Sequence, residues 1–113
     1  MSVDKALLSG STAMLILSII ENEDMYGYQM IETLREKSNN IFDFKAGTLY
    51  PLLHSLEEKG FLTSYEVLSS GKVRKYYRIT KNGRKQLLCK KQEWNEYSYA
   101  VKNIIGGECC VQN

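Results

Sequence analysis

Gly47-Thr48-Leu49-Tyr50-Pro51-Leu52-Leu53-His54-Ser55-Leu56-Glu57-Glu58-Lys59-Gly60, followed at once by Phe61-Leu62-Thr63-Ser64-Tyr65-Glu66-Val67-Leu68, contains the change of period on which the fold turns. Leu49, Leu52, Leu53 and Leu56 stand at i, i+3, i+4 and i+7, one apolar stripe of an α-helix. Gly60 is able to take the left-handed conformation that stops such a helix. Pro51 is comfortable only in a first turn, so the regular helix begins close to Thr48 or an earlier start is locally distorted. Beyond Gly60 the period drops to two. Phe61 to Leu68 and Val73 to Thr80 are rich in β-branched and aromatic residues, and Ser69-Ser70-Gly71 joins them as a hairpin. In the second run Val73, Lys75, Tyr77 and Ile79 point one way, and Arg74, Tyr76 and Arg78 the other.

Upstream, Leu7 to Ile20 is too densely apolar for a one-faced helix and is expected to be a helix buried on more than one side. Gly27 to Lys37 sets Met30, Ile31 and Leu34 against Glu32, Arg35 and Glu36, a short amphipathic helix ending at the turn formers Ser38-Asn39-Asn40. Ile41 to Phe44 reads as a short extended piece. Gly27 suits a tight helix start, and Tyr26 and Tyr28 suit packing and capping. Downstream, Thr80-Lys81-Asn82-Gly83 starts one long helix to about Ile105, ~37 Å at 1.5 Å per residue. Leu87, Trp94 and Val101 recur every seven residues in it, with Tyr97 and Ile104 three after Trp94 and Val101. This heptad seam is longer than a small domain can cover and calls for a second surface.

The order of elements is that of a mainly α fold with a small β-hairpin: a winged helix-turn-helix followed by a long C-terminal helix. The expected division is residues 1–80 for the winged domain, 81–106 for a dimerisation helix and 107–113 for a flexible tail. The leucine-striped helix is the one expected in a DNA major groove, and the hairpin is the wing. Away from the stripe lie Thr48, Tyr50, His54 and Ser55, all able to bond to DNA.

Charge agrees with that reading. The chain of 113 residues carries +2 overall, but residues 1–60 hold five basic and nine acidic side chains, and residues 61–113 ten basic and four acidic. Between Val67 and Gln92 there are nine basic residues, Lys72, Arg74 and Lys75 among them, and no acid. A polyanion is the natural partner of such a block. The competing reading is a winged-helix adaptor that binds proteins and leaves its basic face to solvent.

Other classes are disfavoured. No phosphate loop, glycine-rich nucleotide fingerprint or supported nucleophile–histidine pair argues for an enzyme or a cofactor. The longest apolar stretch, Ala13 to Ile20, is too short to span a bilayer, and Met1 to Lys5 do not open a signal peptide. The three cysteines, Cys89, Cys109 and Cys110, form no CxxC and lie far from His54, so no metal site is expected. A cytoplasmic protein is the expectation.

Two runs carry a family resemblance. Gly47-Thr48-Leu49-Tyr50-Pro51-Leu52-Leu53 and Arg74-Lys75-Tyr76-Tyr77-Arg78, with Tyr26-Gly27-Tyr28-Gln29-Met30 ahead of them, resemble the PadR family of bacterial transcriptional regulators. The likeness spans roughly Leu7 to Ile105, and the single C-terminal helix is similar to the short subfamily. The resemblance implies a homodimeric repressor on double-stranded DNA, with an operator of inverted half-sites. DNA contact is expected from Lys45, Gly47, Thr48, Tyr50, His54, Ser55, Lys72, Arg74, Lys75 and Tyr76. Dimerisation is expected through Leu87, Trp94, Tyr97, Val101 and Ile104. Trp94 also resembles a tryptophan that some short members place beside a central pore for flat aromatic effectors, which would make Trp94 and Tyr97 ligand contacts.

Overall fold

The computed structural model describes residues 10–106. The expected tail, Cys109, Cys110 and the beginning of the expected first helix at Leu7 lie outside them. Among the described residues the chain forms α1 (Thr12–Ile19), β1 (Met25–Tyr26), α2 (Gly27–Lys37), α3 (Ala46–Glu58), β2 (Leu62–Ser69), β3 (Lys72–Ile79) and α4 (Lys81–Ile105). The three strands make an antiparallel sheet in the order β1-β3-β2. This is the expected winged helix-turn-helix with its long last helix.

The core gathers one face of every helix. Ile16, Leu17 and Ile20 meet Met30, Ile31 and Leu34 of α2, the stripe residues Leu49, Leu53 and Leu56 of α3, and Leu62, Tyr77 and Ile79 of the sheet. Each such side chain contributes roughly 1.5–3 kcal/mol on burial. The apolar stripe of α3 is therefore the seat of the helix on the domain, and its opposite face is left outward.

Both ends of α3 differ in character. At the C-terminus Gly60 takes φ +82. Phe61 N–H then donates to the Leu56 carbonyl at 2.9 Å and Gly60 N–H to Glu57 at 3.0 Å, which satisfies two terminal carbonyls. The N-terminus lies at Ala46, two residues ahead of Thr48, so Pro51 sits inside the helix. Having no N–H, Pro51 leaves the carbonyl of Gly47 without its helical donor.

The third strand corrects an expectation. The extended segment at 41–44 pairs with no strand among the described residues; it carries Phe44 into the core as irregular chain. The strand is instead Met25–Tyr26, where Met25 pairs with Tyr77 and Tyr26 with Tyr76. Ladder bonds to the exposed edge of β3 make two residues a strand where a local pattern could not. The hairpin is also tighter than expected. Ser69 pairs with Lys72, and the turn is Ser70-Gly71 alone, both with positive φ (53 and 77). That is the primed two-residue turn whose twist matches antiparallel strands.

Thr80 fastens the wing to α4. Its hydroxyl donates to the Gly60 carbonyl at 2.6 Å and accepts from Gly83 N–H at 2.9 Å, capping α4. A Cβ on Gly83 would collide with the Phe61 carbonyl, so the glycine sets how closely α4 approaches the α3–β2 junction. Leu87, one turn on, is 1% exposed inside its own domain. It is part of the core, and the open seam of α4 starts beyond it.

Candidate nucleic-acid interface

On α3 the outward face carries Gly47, Thr48, Tyr50 and His54, all exposed, with Ser55 half-buried. Lys45 precedes the first turn in an extended conformation, and its Nζ lies 3.7 Å from an Asp43 carboxylate oxygen. Among the described residues nothing beyond the helix's own backbone lies within 4 Å of the place a Cβ would take on Gly47, so this turn is open to close approach. Tyr50 does more than face outward. Its ring fills the space in which Gly27 lacks a side chain, and a Cβ at Gly27 would enter the ring. The glycine at the start of α2 is thus there for room as much as for a chain break. It lets a tyrosine of α3 lie across the start of α2.

The wing has two different faces. Tyr77 and Lys75 point to the side on which α3 packs, where Ser64 also donates to Glu57 at 2.7 Å. On the other side a tyrosine row crosses all three strands. Tyr26 meets Tyr76 edge-on at 5.4 Å, and Tyr76 stacks on Tyr65 at 5.8 Å. The Arg74 guanidinium lies over Tyr26 at 4.6 Å and that of Arg78 over Tyr65 at 5.0 Å. Asp24 closes the row, accepting from the Tyr65 hydroxyl at 2.6 Å and from Arg78 Nε at 3.1 Å. The Asp24 hydrogen bond holds the Tyr65 phenol above its ordinary pKa, so the hydroxyl remains the donor. Tyr76, expected to reach DNA, has its ring held between its two neighbours.

Pairing divides the basic block. Arg78 is matched by Asp24, Lys90 by Glu93 and Lys91 by Glu21. Glu21, Glu23 and Asp24 also face Arg78 and Arg84 across a cleft of about 490 Å³. Lys72, Arg74 and Lys75 have no carboxylate within ion-pair distance among the described residues, although Glu66 stands across the strand from Lys75. Among the described residues the block's charge without an ion pair therefore lies in two places, the projecting half of the hairpin and, with Lys81, Arg84 and Lys85, the first turns of α4. Asp24 and Tyr26 were not legible as parts of this surface. The alternation of β3 places Arg74, Tyr76 and Arg78 on one face, but only the β1–β3 pairing brings the other two beside them.

The sequence pattern of the transcriptional regulator PadR-like family matches residues 16–88. The chain belongs to the PadR-like family. A Lysinibacillus sphaericus protein described as uncharacterized is 38% identical over 101 residues, 88% of each chain. A transcriptional regulator from Clostridium thermocellum superposes with a TM-score of 0.82 at 31% identity, over 88% of this chain and 97% of that one. A PadR family transcription regulator from Clostridium difficile R20291 gives 0.75 at 36% identity, over 84% and 98%. This PadR-like chain is accordingly a DNA-binding transcriptional regulator with a winged helix-turn-helix.

Past Lys91, which pairs with Glu21, the last helix of the PadR-like fold carries large exposed apolar side chains. Trp94, Tyr97 and Ile104 are 45, 61 and 84% exposed, with Val101 half-buried between them. The Trp94 and Tyr97 rings lie 6.3 Å apart and tilted by 37°. No helix among the described residues is long and apolar enough to cross a membrane.

Proposed function

We propose that the chain is a homodimeric cytoplasmic repressor that reads an operator of inverted half-sites. In this reading α3 enters the major groove through Gly47, Thr48, Tyr50, His54 and Ser55, with Lys45 on an adjoining phosphate. Lys72, Arg74 and Lys75 hold the wing on the backbone, and Tyr76 acts from beneath by supporting Arg74 through Tyr26. The observation that carries the reading is the charge pattern. Within the hairpin Lys72, Arg74 and Lys75 have no carboxylate partner among the described residues while Arg78 has one, and the hairpin follows directly on a helix seated by its apolar stripe with its other face outward. Trp94, Tyr97, Val101 and Ile104 form the surface between the two copies; Leu87 supports them from the core.

The test is binding of Thr48→Ala and His54→Ala to an operator duplex and to random DNA. Loss of a base contact should cost about 1–3 kcal/mol on the operator and much less on random DNA. Equal affinity of both variants and the original on both duplexes would remove α3 from the interface.

The same dimer offers an effector site. Two copies of Trp94 and Tyr97, brought together across the two-fold axis, would present aromatic faces to a planar compound. Trp94 is the only tryptophan, so saturable quenching of its emission reports binding directly. A broad panel of planar aromatics that leaves the emission unchanged would reduce Trp94 to interface packing.

A further inference from the structure

The hairpin tip carries a feature that phosphate binding does not use. Leu68 and Val73 are directly paired across the two strands, and they are 73% and 62% exposed. They point to the same side as Lys75 and Tyr77, the side on which α3 packs, but lie beyond the reach of the core. Cross-strand partners at that spacing form one continuous apolar spot. The turn beyond it is Ser70-Gly71, two small residues, so nothing bulky caps the tip. Lys72 and Arg74 lie on the opposite face of the same ribbon, without carboxylate partners among the described residues.

We propose that Leu68 and Val73 lie against the sugar edges of the DNA minor groove and make the regulator select A·T-rich sequence there, outside the bases that α3 covers. This rests on the proposed operator reading and deepens it. The charge of the tip commits the occupant to DNA, because the apolar pair is bordered by cations suited to phosphates. A minor groove is about 6 Å wide, and it narrows in A-tracts, which brings both sugar walls and a stronger negative potential to the tip. Guanine projects a 2-amino group into that groove, where apolar side chains would leave it without a hydrogen-bond partner. Apolar groups of this kind are common against minor-groove walls.

The probe is a duplex enriched by the full-length protein from random sequence, with its flanks then varied. Inosine in place of guanine removes the minor-groove amino group and leaves the major-groove edge unchanged. The original protein should bind inosine-containing flanks about tenfold more tightly than guanine-containing ones. The pair Leu68→Thr and Val73→Thr puts β-branched residues at both exposed strand positions, so the hairpin persists. It should lose that preference and fall to the guanine-flank affinity, while the salt dependence stays as it was because no charge is removed. A variant that keeps the preference overturns the proposal and assigns the pair to a partner other than DNA; an original protein without the preference overturns it as well. Failure of the operator reading looks different, since no duplex would then be enriched, and both ideas would fall together.

Discussion

A methyl group added at Gly27 would enter the ring of Tyr50, and one added at Gly83 would meet the carbonyl of Phe61. The obstacles differ in how far they yield. A tyrosine ring on a half-exposed surface swings aside, whereas the Phe61 carbonyl already accepts from Thr80 N–H at 3.0 Å and is part of the chain itself. Glycine to alanine inside a helix ordinarily gains about 0.5–1 kcal/mol. Gly47→Ala, with open space around it, is expected to show that gain. Gly83→Ala should instead lose about 1–3 kcal/mol to overpacking, and Gly27→Ala should fall between them. Urea denaturation of the three variants measures the order, and a Gly83→Ala protein as stable as the original would contradict this account of the α4 junction. The sequence marks Gly27 as a break but conceals its partner, because Tyr50 comes from the next helix and no spacing rule links the two.

At the level of elements, legibility followed periodicity. The leucine stripe of α3, the amphipathic α2 and the two hairpin strands repeat often enough to declare themselves, and all lie within a residue or two of where the pattern puts them. Strand β1 has two residues and no period, and its hydrogen-bond partner, β3, lies two helices and a strand further along the chain. The start of α3 was ambiguous for the opposite reason: Pro51 argues against an earlier turn, yet core burial of Leu49 outweighs one missing hydrogen bond. The wing is visible as a basic block, but its division into paired and unpaired halves is not, since Asp24 approaches Arg78 only in the folded chain. That division yields a prediction. Lys72→Ala and Lys75→Ala each remove two phosphate contacts per dimer, so the slope of log affinity against log salt should flatten by about 2. Arg78→Ala, whose charge Asp24 already offsets, should leave the slope near its original value. Fluorescence anisotropy over a salt series decides between them, and a flattened slope for Arg78→Ala alone would place the phosphates on the wrong part of the sheet.

The whole molecule is elongated, 56 Å in its long dimension against 30 and 23 Å. The length comes from α4, which is anchored by Gly83, Leu87 and the Lys91–Glu21 ion pair and then runs out of domain to lean on. The heptad spacing foretold this overhang but placed its beginning too early, because a seam and a core stripe have the same period and only the fold tells where one becomes the other. Two copies joined through Trp94, Tyr97, Val101 and Ile104 would hold two α3 helices at a fixed separation, and that separation must match about one turn of DNA, ~34 Å. The most direct test is sedimentation of the protein with two enriched duplexes, one with its inverted half-sites at their selected spacing and one with that spacing lengthened by about half a helical turn. The account predicts two chains per duplex on the first and loss of that complex on the second, because the second half-site then faces away. One chain per duplex, or equal binding to both spacings, would contradict it.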